Sequence, residues 1–240
     1  MMQFFTGKAG TKFLVLLFSL LSALTLCSAD TGTSGHHVNH SPDLQERKAF
    51  PELTAFKEKL KRADKTIYTN EQDYMDFKSP GKKIFASDAY AGCIGMVMVS
   101  QKGAMIGHYN MDEASLDRGK PKLKNIYEAH KTDLAGGQVW VYAHVEYKDG
   151  RPYKQARLVD KFTSTVKEIT GQQPQIQQYI EAVDAWFDQD GEPLADDPDL
   201  ENMIGGAFIV ENPGGGSAKS LLEFLDIDMI KKTLAITSWH

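Results

Sequence analysis

The spacing of apolar positions changes several times along the chain, and each change marks an element. Between residues 43 and 63, Leu44, Phe50, Leu53, Phe56 and Leu60 recur at helical spacing. Pro51 either sits near the start of this helix or divides the segment in two. A short helix is expected over 70–77. Strands then dominate. Residues 83–86 form one candidate, and 93–100 with 104–109 read as a hairpin around Gln101-Lys102-Gly103. A helix is expected over 121–134. Gly136-Gly137 opens the clearest strand, 139–147, in which Val139, Val141, Ala143 and Val145 alternate with Trp140, Tyr142, His144 and Glu146. Asp149-Gly150 signals a turn. A helix fits 155–170, while 175–187 fits helix or strand. Residues 188–201 are acidic and loop-like, 207–210 read as a strand, 213–216 as a flexible loop and 219–231 as a helix. No internal repeat is visible. The pattern predicts an α+β fold in one domain, residues 43–240.

The N-terminal pattern is of a different kind. Lys8 and Lys12 precede the apolar run from Phe13 to Leu21, and Cys27-Ser28-Ala29 supplies the small residues of a cleavage site. Residues 1–29 therefore read as a signal peptide, and the mature chain as a secreted protein with no membrane anchor. Residues 30–42 are a polar tail without the apolar content of a core. His36, His37 and His40 lie in this tail with no acid or thiol beside them, and they read as solvated rather than as metal ligands. Asn39-His40-Ser41 is a glycosylation sequon weakened by the following Pro42.

Cleavage changes the charge and the cysteine count. Lys+Arg falls from 27 to 25 while Asp+Glu stays at 32, so the net charge moves from −5 to −7. That balance argues against a nucleic-acid or anionic-membrane partner. Of the two cysteines only Cys93 is left, so no internal disulfide can form. A lone cysteine in a secreted chain is an intermolecular bridge, a reactive thiol or a buried inert residue.

The hairpin bears on that choice. With its turn centred between Ser100 and Gln101, residue i faces residue 201 − i, and Cys93 stands opposite His108. A register slip of two keeps both on one face as diagonal neighbours, whereas a slip of one separates them. A neighbouring imidazole can take the thiol proton and return it to a leaving group, in which case the thiol is partly accessible and acidified. Gly92 and Gly95 flank Cys93 and would allow a substrate or oxyanion to approach the backbone. The same residues also describe a glycine-containing core strand with a buried Cys and a satisfied His.

The stretch Ser87-Asp88-Ala89-Tyr90-Ala91-Gly92-Cys93, followed by Gly103-Ala104-Met105-Ile106-Gly107-His108, resembles the active-site segment of the glutamine deamidase superfamily. Its members include the chemotaxis-receptor deamidase CheD and the catalytic domains of cytotoxic necrotizing factor-type toxins. In that family a small residue precedes a nucleophilic Cys, and the catalytic His follows one hairpin later. CheD proteins carry a Thr six residues before the Cys, where this chain has Ser87 and keeps the hydroxyl. The resemblance spans residues 83–110. It implies a β-sandwich of mixed sheets flanked by helices, a Cys93–His108–Ser87 site, no metal or organic cofactor, and a protein substrate presenting a glutamine.

Other readings compete with this one. Papain-like peptidases place their His ~130 residues or more after the Cys, which His130 and His144 do not satisfy and His240 reaches only at the last residue. A thiol oxidoreductase needs Cys-x-x-Cys, which is absent. A secreted interaction protein that keeps a deamidase-like fold without activity is the alternative from another class. Trp140, Trp186 and Trp239 read as packing residues, and His144 as exposed or on the inner face of a sandwich.

Overall fold

A computed structural model of the chain describes residues 51–146, 150–181, 206–228 and 233–239. The expected signal peptide and tail, the start of the first helix and the acidic stretch 188–201 lie outside these residues. In chain order the elements are α1 (Pro51–Lys61), β1 (Lys65–Ile67), β2 (Glu71–Asp76), β3 (Pro80–Tyr90), β4 (Ile94–Val99), β5 (Gly103–Tyr109), α2 (Glu113–Leu134), β6 (Gln138–Val145), α3 (Ala156–Thr170), β7 (Gln175–Ile180), β8 (Gly206–Gly214), β9 (Leu221–Asp228) and β10 (Thr233–Trp239). No helix among the described residues is long and apolar enough to cross a membrane.

The strands form two five-stranded sheets, ordered β1-β3-β8-β9-β10 and β2-β5-β4-β6-β7. Each is mixed: β1 runs parallel to β3, β7 runs parallel to β6, and the other pairs are antiparallel. The inner faces share one core, with Phe85, Val97, Ile106, Trp140, Tyr142, Phe208 and Phe224 among its members. On the outer face of the second sheet, Met96, Met98, Val139 and Val141 pack against Leu116 and Leu123 of α2 and Val159, Phe162 and Val166 of α3. Leu53 and Phe56 of α1 cover Ile84, Ala86 and Ile209 on the outer face of the first sheet. The architecture is thus the expected α+β sandwich of mixed sheets flanked by helices. It explains the strand 139–145, whose two alternating rows are both buried. One row meets the helices and the other meets the opposing sheet.

Two elements differ in kind from the pattern reading. Residues 71–76 are a strand rather than a helix. They occupy an edge with no fully buried side chain, so the period-2 signal of a half-buried strand is missing. Residues 221–228 are also a strand. Leu222 and Phe224 face the intersheet core while Leu225 meets α1, and Glu223 bonds Lys59. With apolar residues on both faces, at 221, 222, 224 and 225, the strand lacks a clean period of two and reads equally as a helix. α2 begins eight residues earlier than Pro121, because Asp112 caps it by accepting from the Ser115 N–H at 2.7 Å.

The central hairpin has its own register. Val99 pairs with Ala104, Gly95 with His108 and Ile94 with Tyr109. The turn is therefore centred between Gln101 and Lys102, one position later than expected. Ser100 sets it there: its hydroxyl accepts from the N–H groups of Lys102 at 3.0 Å and Gly103 at 3.1 Å, and donates to the Asp133 carbonyl at 2.6 Å.

Candidate functional site

The slip amounts to two residues in pairing, the case that keeps Cys93 and His108 on one face. Cys93 immediately precedes β4, and its diagonal neighbour His108 lies on β5. Cys93, Val97, Ala104 and Ile106 all belong to the intersheet core. The alternation of β5 sends His108, two residues beyond Ile106, to the same face.

Ser87 reaches this face from the opposite sheet. Its hydroxyl carries one hydrogen, which it donates to the Ile67 carbonyl at 2.9 Å. Its lone pairs then face His108 Nδ1 at 3.3 Å. An imidazole protonated at Nδ1 satisfies that contact and leaves the Nε2 lone pair open. Nε2 is buried and has no hydrogen-bond partner among the described residues. Such an orphan acceptor costs about 1–3 kcal/mol in a folded core. Burial lowers the His108 pKa from 6.5 to about 4, with the Ile67 carbonyl partly opposing the shift. The ring is neutral at physiological pH.

A bulge in β3 builds the wall behind this imidazole. Ser87 pairs with Phe208 but Tyr90 pairs with Gly206, so β3 holds one residue more than its partner. Ala89, inside the bulge, adopts φ +64. The extra residue brings Tyr90 onto the inner face beside Ser87. There its ring stacks on His108 with centroids 3.7 Å apart and planes 6° from parallel. Tyr90 fills the space beside Gly95, where a Cβ would collide with the phenol hydroxyl and ring. Gly95 thus admits an aromatic ring rather than a substrate. Gly92 has a different reason to be glycine: its φ of +73 is in the left-handed region, while the space around it is ordinary.

Cys93 as a residue is 5% exposed. Its neighbours are weak sulfur contacts: Asn110 Oδ1 at 3.8 Å, Thr69 Oγ1 at 3.9 Å and the Ala91 carbonyl at 3.9 Å. Tyr179 donates to the Cys93 carbonyl at 2.6 Å and pins the backbone from β7. Burial pushes the thiol pKa up, the Thr69 hydroxyl opposes this, and the Glu181 carboxylate adds to it. The expected accessible, acidified thiol is therefore not the state seen. Thiol and imidazole are both neutral, on one face, without a hydrogen bond between them.

The structure thus gathers Ser87, His108 and Cys93 around one patch of the intersheet core, with Gly92 and Gly95 as backbone supports. Sequence reasoning missed Tyr90, Thr69, Asn110 and Tyr179. Only Asn110 had a usable signal, since a pairing sum of 203 places it across from Cys93. His144 lies on the inner face, 4% exposed. Among the described residues, no group of three or more His, Cys, Asp or Glu side chains is placed to hold a metal ion. No family model matches the chain, and no curated protein matches it.

Proposed function

We propose that the chain is a secreted cysteine-dependent protein-glutamine deamidase, with a site similar to that of the glutamine deamidase superfamily. The observation that carries this reading is His108. Its Nδ1 is held by Ser87 and its Nε2 is buried without a partner among the described residues, on the face that also carries Cys93. A base oriented by a third group and left with an open nitrogen beside a thiol is the arrangement nucleophilic catalysis requires.

The reaction follows from those groups. The Cys93 thiol gives its proton to Nε2. The sulfur attacks the carboxamide carbon of a substrate glutamine, and a C–S bond forms as the carbonyl becomes an oxyanion. Collapse breaks the C–N bond, and the imidazolium proton leaves with ammonia. Water, deprotonated by the same nitrogen, cleaves the thioester to give glutamate and the free thiol. Ser87 keeps Nδ1–H in place throughout. No metal or organic cofactor takes part, and the partner is a protein presenting a glutamine.

One observation favours the other reading, a non-catalytic interaction protein. Cys93 is buried, and its surroundings disfavour the thiolate. Incubating the chain with candidate target proteins and following Gln-to-Glu conversion by mass spectrometry decides between them. Conversion lost in Cys93→Ser and His108→Ala supports the deamidase. Conversion that persists in both variants rules out this mechanism. No conversion with any target, together with a thiol that reacts only after denaturation, leaves the interaction protein.

A further inference from the structure

A second ionisable pair borders the thiol, and the steps above do not use it. His144 on β6 pairs in register with Tyr179 of β7, and Glu181 follows directly after that strand. His144 Nε2 lies 3.7 Å from Glu181 Oε2, with the imidazole 5% and the carboxylate 24% exposed. Both groups converge on Gly92, the residue before the nucleophile. A Cβ built there would lie 3.5 Å from Glu181 Oε2 and 3.9 Å from His144 Nδ1. The carboxylate is thus about a quarter exposed to solvent and lies against Gly92, next to Cys93 in the chain. It does not help form the thiolate, since a negative charge there opposes a second one.

The geometry points to Glu181 as the group that selects the substrate's amide. Its carboxylate accepts hydrogen bonds from the –NH2 of a primary carboxamide held at Cys93, and repels the carboxylate that replaces the amide after hydrolysis. The inference rests on the deamidase reading and deepens it by naming the residue that tells the neutral primary carboxamide of the substrate from the carboxylate of the product. His144 acts as a positioning residue that holds the carboxylate toward Gly92. A neutral amide donates to a carboxylate at short range. An anion a few ångströms away from it loses about tenfold or more in occupancy at protein-like dielectric.

Two alkylating reagents test this without any protein target. Iodoacetamide carries a primary carboxamide, and iodoacetate is its anionic isostere. With either one the Cys93 thiolate attacks the methylene, a C–S bond forms and iodide departs. Rates are read at Cys93 by peptide mass spectrometry on the full chain, folded and in urea. The rate ratio of amide to acid cancels the thiolate fraction, so it reports selectivity alone. The folded chain should show a ratio about tenfold or more above that of the same thiol in urea. Glu181→Gln should bring it to within about threefold of the urea value, and Glu181→Lys should invert it. A folded ratio equal to the urea ratio, or one unchanged in both variants, overturns the role of Glu181 and leaves the nucleophile reading standing. A folded Cys93 that reacts with neither reagent overturns both.

Discussion

Acid should destabilise this fold through His108, by an amount its burial sets. The imidazole is fully buried, and its pKa falls from 6.5 to about 4. Above pH 6.5 the ring is neutral in both the folded and unfolded chain and contributes no pH dependence. Below that value the unfolded chain takes up a proton that the folded one refuses, so stability falls as pH drops. The loss ends near pH 4, where the folded ring protonates too. Over this window it amounts to about 3 kcal/mol, from about 1.4 kcal/mol per unit of depression. Asp88, whose carboxyl is pushed up by burial, titrates in the acid range as well, so the test is a comparison. His108→Asn keeps a polar group beside Ser87 but removes the titration. Urea unfolding of both chains between pH 7.5 and pH 4 measures the difference. The wild-type midpoint should fall by roughly 1–3 M more than that of the variant, given urea slopes of about 1–3 kcal/mol per M. Parallel midpoint curves would refute a neutral, buried His108, and with it the open Nε2 on which the proposed catalysis depends.

Three further outcomes follow from the same surroundings. Gly95→Ala should cost about 1–3 kcal/mol, because the new Cβ meets Tyr90 Cζ at 2.7 Å and Cε1 at 2.8 Å, and adding Tyr90→Phe should relieve only part of that cost, since the ring carbons stay; thermal unfolding of the single and double variants checks both. Gly92→Ala should cost about 1–2 kcal/mol through its φ of +73 alone, the neighbouring atoms lying at ordinary contact distance, and a midpoint equal to wild type would contradict it. Alkylation of folded Cys93 should rise with pH to a midpoint above the ordinary thiol value near 8.5, because burial favours the protonated form, and a midpoint below that value in a stopped-time iodoacetamide series would show a preformed thiolate instead.

Where the fold was legible, a single face explains why. Helix α3 runs from Ala156 to Thr170 with Leu158, Val159, Phe162, Val166 and Ile169 on one buried stripe, and its period stands out in the sequence. The strand 138–145 was equally plain, since large and small residues alternate even though both rows are buried. The two misread segments lack that contrast in opposite ways. β2 is a polar edge strand whose Tyr74 stacks on His130 of α2, a tertiary contact that no local period announces. β9 places Leu222 and Phe224 against the opposing sheet and Leu225 against α1, so apolar residues fall on both faces and the alternation is lost.

The site was legible as a set of residues but not as a chemical state. Pairing arithmetic brought Cys93 and His108 to one face, and the Ser100 hydroxyl, which shifted the turn, preserved that outcome because the pairing sum changed by two rather than one. The bulge could not be foreseen. Nothing in Asp88-Ala89 demands an extra residue, yet without it Ala89 rather than Tyr90 would point between the sheets and His108 would lose the ring stacked on it. Gly95 follows from that event: once Tyr90 lies across β4, only a residue without a Cβ fits opposite His108. The glycine that local sequence assigned to substrate approach is therefore part of the wall that buries the imidazole. That burial keeps His108 neutral, with one nitrogen committed to Ser87 and the other open. It also raises the thiol pKa, so the burial that keeps the imidazole neutral keeps Cys93 protonated as well.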